Sequence, residues 1–163
     1  MTDAPCRIAP ARRADVPLIV DLVRELAEFE RLADQVRIDP VLLEQHLFGE
    51  PRYAEAVIAW SGSEAVGYAL YFHNYSTFAG RPGLFLEDLF VRPVVRGRGF
   101  GEALLRHLAR TAIDRGCARF EWSVLDWNKR AIDFYRKLGA VPMDDWTVYR
   151  VSGDALERLA SQP

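Results

Sequence analysis

The sequence predicts a layered α+β domain, with a mixed, mostly antiparallel central sheet of about seven strands flanked by helices. Three observations carry this expectation. Two strand-like runs, Ala54 to Ser61 and Glu64 to Tyr75, are separated only by Gly62-Ser63, which reads as a hairpin. Apolar residues recur at helical spacing in two stretches: Leu18, Ile19, Leu22, Val23, Leu26 and Phe29, then Leu104, Leu105, Leu108, Ala112 and Ile113. The second stretch intervenes between the apolar run Leu84 to Val91 and the run Phe120 to Leu125. Strands joined through a helix become parallel neighbours, so that part of the sheet should be parallel.

The elements follow in order. Cys6 to Ala9 reads as a short first strand, and Asp15 is placed to cap the first helix. Asp39-Pro40 opens a second helix and Gly49 closes it. The hairpin strands follow, then a loop from Ser76 to Pro82. Leu84 to Val91 is an apolar strand interrupted by Glu87-Asp88, and the helix after it stops at Gly116. Asn128 can cap a helix that runs through Leu138 to Gly139. Val141 and Trp146 to Val151 are expected to close the sheet, with a short helix from Asp154. With no linker or repeat in view, residues 1–163 read as a single domain with its core at about 6–152.

Composition narrows the function. A net charge of −2 gives no sign of a nucleic-acid partner, and none is expected. No apolar run approaches the ~18 residues of a membrane span, and the N-terminus lacks a signal-peptide pattern. Cys6 and Cys117 have neither metal nor disulfide-framework spacing, and His46, His73 and His107 show no ligand spacing, so no metal is expected. A reducing cytoplasm fits these features.

The run Arg96-Gly97-Arg98-Gly99-Phe100-Gly101 lies between a strand and a helix. Glycines let backbone N–H groups crowd an anion, and a helix N-terminus adds a favourable dipole. A P-loop is excluded because no Lys follows the glycines. The dinucleotide fingerprint requires G-x-G-x-x-G in a first βαβ unit, and neither spacing nor context matches. The pattern that fits is Arg/Gln-x-x-Gly-x-Gly/Ala, filled by Arg96, Gly99 and Gly101. It resembles the pyrophosphate loop of the GCN5-related N-acetyltransferases, which bind acetyl-coenzyme A.

Other stretches resemble the spermidine/spermine (diamine) acetyltransferase branch of that superfamily. They are Leu26-Ala27-Glu28-Phe29-Glu30, Phe85-Leu86-Glu87-Asp88-Leu89-Phe90-Val91, and Trp127-Asn128 followed by Phe134 to Ala140. The resemblance implies that Leu89, Phe90 and Val91 receive the acetyl and pantetheine part of acetyl-coenzyme A. It implies that Arg96, Gly97, Arg98, Gly99, Phe100, Gly101 and Glu102 hold the pyrophosphate. Asn128, Lys129, Arg130 and Ala131 would flank the pantetheine arm, and Tyr135 would sit beside the thioester sulfur. Phe29 and Glu30 would contact the acceptor. A homodimer is implied as well, through the sheet and the C-terminal strands.

Acyl transfer to an amine sets the chemical demands. An alkyl ammonium of pKa ~10.4 must lose a proton before it can attack. The developing oxyanion needs a fixed N–H donor. The leaving sulfur needs an acid, and a phenol of pKa ~10 stays protonated at neutral pH and can donate. Tyr135 is therefore the expected acid. Glu87 is the expected base or ammonium holder, because a carboxylate inside an apolar strand must be paired, solvated or functional. Strict strand alternation would turn Asp88 to the opposite face, leaving Glu87 alone in the site.

The resemblance implies a small primary amine as acceptor, either a diamine or polyamine or a lysine- or thialysine-like amino acid. Where the polyamine branch has Tyr-Asp-x-Trp this chain has Tyr75-Ser76-Thr77-Phe78, and Ala9 replaces a basic residue of the first strand. The lost acid removes one anchor for a long polycation. Two other readings stand beside this one: a non-catalytic acyl-coenzyme A sensor, and a protein or peptide N-acetyltransferase.

Overall fold

The computed structural model describes residues 6–162, which form two compact units divided after Ser123. In the first unit five strands form one sheet in the order β1-β2-β3-β4-β5: β1 Cys6–Pro10, β2 Glu55–Ser61, β3 Glu64–Ser76, β4 Arg81–Val91 and β5 Phe120–Trp122. The first three pairings are antiparallel and β4–β5 is parallel. The expected fold class is present, with the parallel pair where the helix intervenes. Gly62-Ser63 turns the hairpin between the paired residues Ser61 and Glu64, with Gly62 at φ +62°.

Three helices cover this sheet: α1 Val16–Glu30, α2 Pro40–Phe48 and α3 Phe100–Asp114. Residues Ala65 to Ala69 of β3 are buried without interruption, which requires cover on both faces. Ile19, Leu22 and Leu26 of α1 and Leu47 of α2 pack with Ala56, Ile58, Tyr68 and Phe90. Leu104, Leu105, Leu108 and Ala112 bury one stripe of α3. Asp39 caps α2 as expected, accepting from the Val41 and Leu42 amides at 2.8 and 3.3 Å. Asp15 behaves differently. It ends a single 3-10 turn, and its carboxylate reaches back to accept from the Arg12 amide at 2.8 Å instead of capping α1.

The second unit holds α4 Lys129–Lys137 and α5 Asp154–Ala160. Asn128 caps α4 by accepting from the Ala131 amide at 3.2 Å, and Gly139 ends it at φ +88°. The expected strands at Val141 and Trp146 to Val151 are absent, so the described residues contain five strands and not seven. A strand exists only where a neighbour completes its hydrogen-bond ladder. Among the described residues none does so there, and Val148 and Tyr149 are exposed.

Candidate active site

The phosphate-loop candidates assemble at the end of β4. After Val91 the chain makes a 3-10 turn, Pro93–Val95, and extends at Arg96. Gly97 and Gly99 then adopt φ +83° and +84°, a left-handed backbone that side chains disfavour. A Cβ at either position would meet nothing within 4 Å, so backbone direction explains these glycines and crowding does not. Gly99 takes the cap position of α3 without a side chain to bond the first-turn amides. Amides and dipole at such an end suit a diphosphate. Glu102 lies in that first turn, and its carboxylate pairs with Arg106 at 2.6 Å. Arg98 lies 5.7 Å from the Phe100 ring.

Arg96 links the loop to the acceptor candidates. Its Nε donates to the Val91 carbonyl at 2.9 Å, and its guanidinium lies 4.2 Å over the Phe29 ring and 5.8 Å from that of Phe90. Arg92 makes a second tie between α1 and β4, donating to both Glu25 carboxylate oxygens. The end of α1 is thereby fixed against the end of β4.

The β4 strand is irregular where it matters. Leu86 pairs with Tyr71 and Asp88 with Leu70, so Glu87 has no partner on β3 and forms a bulge. Paired residues share a face. Leu86 and Asp88, two positions apart, therefore face opposite sides, which alternation alone forbids. The bulge removes the regular alternation on which the opposite facing of Asp88 and Glu87 was expected. Glu87 is exposed, while Asp88 is half-buried and accepts a hydrogen bond from the Tyr68 hydroxyl at 2.9 Å. On the other edge, β5 pairs only with Leu84 to Leu86. No described strand continues that ladder along Leu89, Phe90 and Val91, and this stretch is where the acetyl and pantetheine portion was expected.

The electrostatics of this corner follow from burial and from like charge. Burial raises the Asp88 carboxyl above the usual carboxylate range; the Tyr68 hydrogen bond opposes that shift and the charge on Glu87 adds to it. Burial also raises Glu30, with Asp88 adding to it. Burial lifts the Tyr68 phenol well above its ordinary value, and the nearby Asp88, Glu30 and Glu87 carboxylates reinforce this. Phe29, 38% exposed, stands next to Glu30 at the end of α1. The first unit thus brings together Phe29, Glu30, Glu87, Leu89 to Val91 and the glycine loop. The remaining candidates, Asn128 to Ala131 and Tyr135, lie at and within α4 in the second unit. Tyr135 contacts the ring of Phe134 at 5.5 Å between centroids, and its carbonyl accepts from the Ala140 amide.

Sequence reasoning passed over Tyr68 and assumed a regular strand at Asp88. Tyr68 stands in the run Val66-Gly67-Tyr68-Ala69-Leu70, where a tyrosine reads as one more core aromatic. A phenol at a fully buried position needs a polar partner, and the search for that partner leads to Asp88.

Residues 19–140 match the acetyltransferase (GNAT) family. The thialysine N-epsilon-acetyltransferase of Sus scrofa is 39% identical over 95% of this chain and 97% of its own length. The human spermidine/spermine N(1)-acetyltransferase-like protein 1 is 29% identical over 94% of this chain, which spans 24% of that protein. Among solved structures, an integron cassette protein from the mobile metagenome of V. cholerae superposes with a TM-score of 0.78 at 25% identity, covering 96% of this chain and 98% of its own. Together with the strand, glycine loop and helix described above, these matches show that the chain belongs to the acetyltransferase (GNAT) family and is an N-acetyltransferase.

Proposed function

We propose that this protein transfers the acetyl group of acetyl-coenzyme A to the side-chain amine of a lysine-like amino acid or similar small amine. Support for the acceptor comes from the full-length similarity to a thialysine acetyltransferase and from the Tyr75-to-Phe78 segment, which lacks the acid of the polyamine pattern. The observation that carries the reading is the bulged β4, which sets Glu87 and Asp88 beside Leu89 to Val91 and close to the phosphate-suited N-terminus of α3.

Bound acetyl-coenzyme A would supply an acyl group activated as a thioester. Gly97 to Glu102 would hold its diphosphate, and the β4 edge at Leu89 to Val91 would offer its backbone to the acyl arm, including an N–H donor for charge developing on the carbonyl oxygen. Asn128 to Ala131 are proposed to flank the pantetheine. Glu30, Glu87 and Asp88 replace the hydration of the incoming ammonium. Glu87, the exposed one of the three, takes its proton, directly or through water. Tyr135 is proposed as the acid that protonates the departing sulfur, on the resemblance of its segment.

The proposal extends to one acetyltransferase domain spanning the 163 residues, acting in the cytoplasm as a homodimer, with neither nucleic acid nor membrane as partner. No described helix is long and apolar enough to cross a membrane. The deciding experiment is thiol release from acetyl-coenzyme A with thialysine, lysine, ornithine, putrescine and spermidine as acceptors. Turnover with the amino acids above that with the polyamines supports the reading. Turnover with none overturns it, and preference for spermidine returns the acceptor to the polyamine class.

A further inference from the structure

We propose that Tyr68 is a positioning residue for the acceptor end of the site: its buried hydroxyl holds Asp88 as an oriented carboxylate at the β4 bulge, where the acceptor ammonium docks. This rests on the amine-acetylation reading above and names a residue that reading does not use.

The ring of Tyr68 is 0% exposed and packs with Ile58, Leu22 and Phe90, a place phenylalanine would fill equally well. The hydroxyl is the group that needs an explanation, since burying it is unfavourable unless it is bonded. It donates to Asp88 Oδ2 at 2.9 Å. The geometry follows from the sheet. Tyr68 pairs with Phe90 and so shares its face, and Asp88, two residues before Phe90 and past the bulge, is the diagonal neighbour on that same face. The hydrogen bond fixes the Asp88 rotamer and occupies one oxygen, leaving the other as the one Tyr68 does not engage.

The charged groups facing this bond are Glu87 on β4 and Glu30 on α1. Both are acidic and both favour a protonated Asp88. A donor to the ionised form works the other way. Without the hydroxyl, Asp88 keeps its burial and its like-charged neighbours and loses the one group that favours its charge. It then takes up a proton at higher pH and offers a neutral, freely rotating carboxyl to the ammonium.

The test compares wild type, Tyr68→Phe and Asp88→Asn. Carboxyl carbon NMR of the enzyme without substrate reads the titration of Asp88, assigned by its disappearance in Asp88→Asn. In Tyr68→Phe this titration, and the acidic limb of kcat/KM for the amine, should move up by about one pH unit. The amine KM should rise several-fold near the acidic limb, with acetyl-coenzyme A affinity unchanged. Adding Tyr68→Phe to Asp88→Asn should change the amine KM no further. A purely structural Tyr68 would lower stability and leave both titrations in place. An unmoved Asp88 titration in a folded variant, with wild type active, overturns the positioning role alone. A wild type that acetylates no amine overturns the acceptor reading beneath it, and the NMR titration still reports separately whether Tyr68 controls Asp88.

Discussion

Replacing Gly99 with alanine separates backbone direction from packing in the phosphate loop. Gly99 has φ +84° and its missing Cβ faces open space, so the whole cost of Gly99→Ala is conformational. An L-residue in the left-handed region costs roughly 1–2 kcal/mol, and alanine recovers about 0.5 kcal/mol by restricting the unfolded chain. The net loss is about 1 kcal/mol. In a chain of 163 residues that lowers Tm by about 3 °C. Where the strained loop relaxes in the free protein, acetyl-coenzyme A must restore it, and 1 kcal/mol corresponds to about fivefold in Kd. Gly101 provides the contrast. It lies in the first turn of α3 without a positive φ, and its Cβ would meet only Val91 Cγ2 at 3.9 Å. Gly101→Ala should hold or raise stability by up to about 0.5 kcal/mol through helix propensity. Calorimetric titration with acetyl-coenzyme A, paired with urea unfolding at constant slope, reads both effects. A Gly99→Ala protein as stable and as tight-binding as wild type would refute the argument, and so would a Gly101→Ala protein that is impaired to the same degree.

Three further outcomes are expected. Tyr135→Phe should lower kcat by about a hundredfold with little change in acetyl-coenzyme A affinity, and unchanged turnover removes the acid role. Gly67→Ala drives a Cβ into the Phe90 carbonyl oxygen, so β3 must part from β4; it should cost about 1–3 kcal/mol in thermal unfolding, and an unmoved Tm would show that the strands give way freely. Glu55 accepts two hydrogen bonds from Arg115, and chiefly that contact holds its carboxyl below the usual range. A lowered carboxyl stabilises the fold above its unfolded pKa and loses this as pH falls through the folded value. Glu55→Gln should therefore be less stable by about 1 kcal/mol at pH 7, with the gap closing below about pH 4; a gap constant across pH would sink the charge argument.

The glycine loop was legible because its demands are local: a left-handed backbone at Gly97 and Gly99 leaves a mark in residue type. The caps at Asp39 and Asn128 were legible for the same reason. The facing of Asp88 was not. Reading a strand by alternation assumes regular pairing, and the bulge at Glu87 is a property of two strands together. Tyr68 was hidden similarly, since what separates it from a core phenylalanine is a partner on the neighbouring strand. The strand reading at Trp146 to Val151 misled in the opposite sense, for it records a preference that no described neighbour completes. Asp15 was assigned to the right place with the wrong bond, because a carboxylate between a 3-10 turn and a helix can accept from either side.

The extra residue in β4 makes chain length there a matter of reading frame. Removing Glu87 alone would leave Leu86 and Asp88 as consecutive residues that already face opposite sides, so the ladder would run regularly with every other partner kept. Phe90 would stay opposite Tyr68 in the core, and Asp88 would keep its phenol. Evolution can therefore drop this one residue without changing which side chains are interior, whereas losing a residue from a regularly paired stretch would turn its neighbours over.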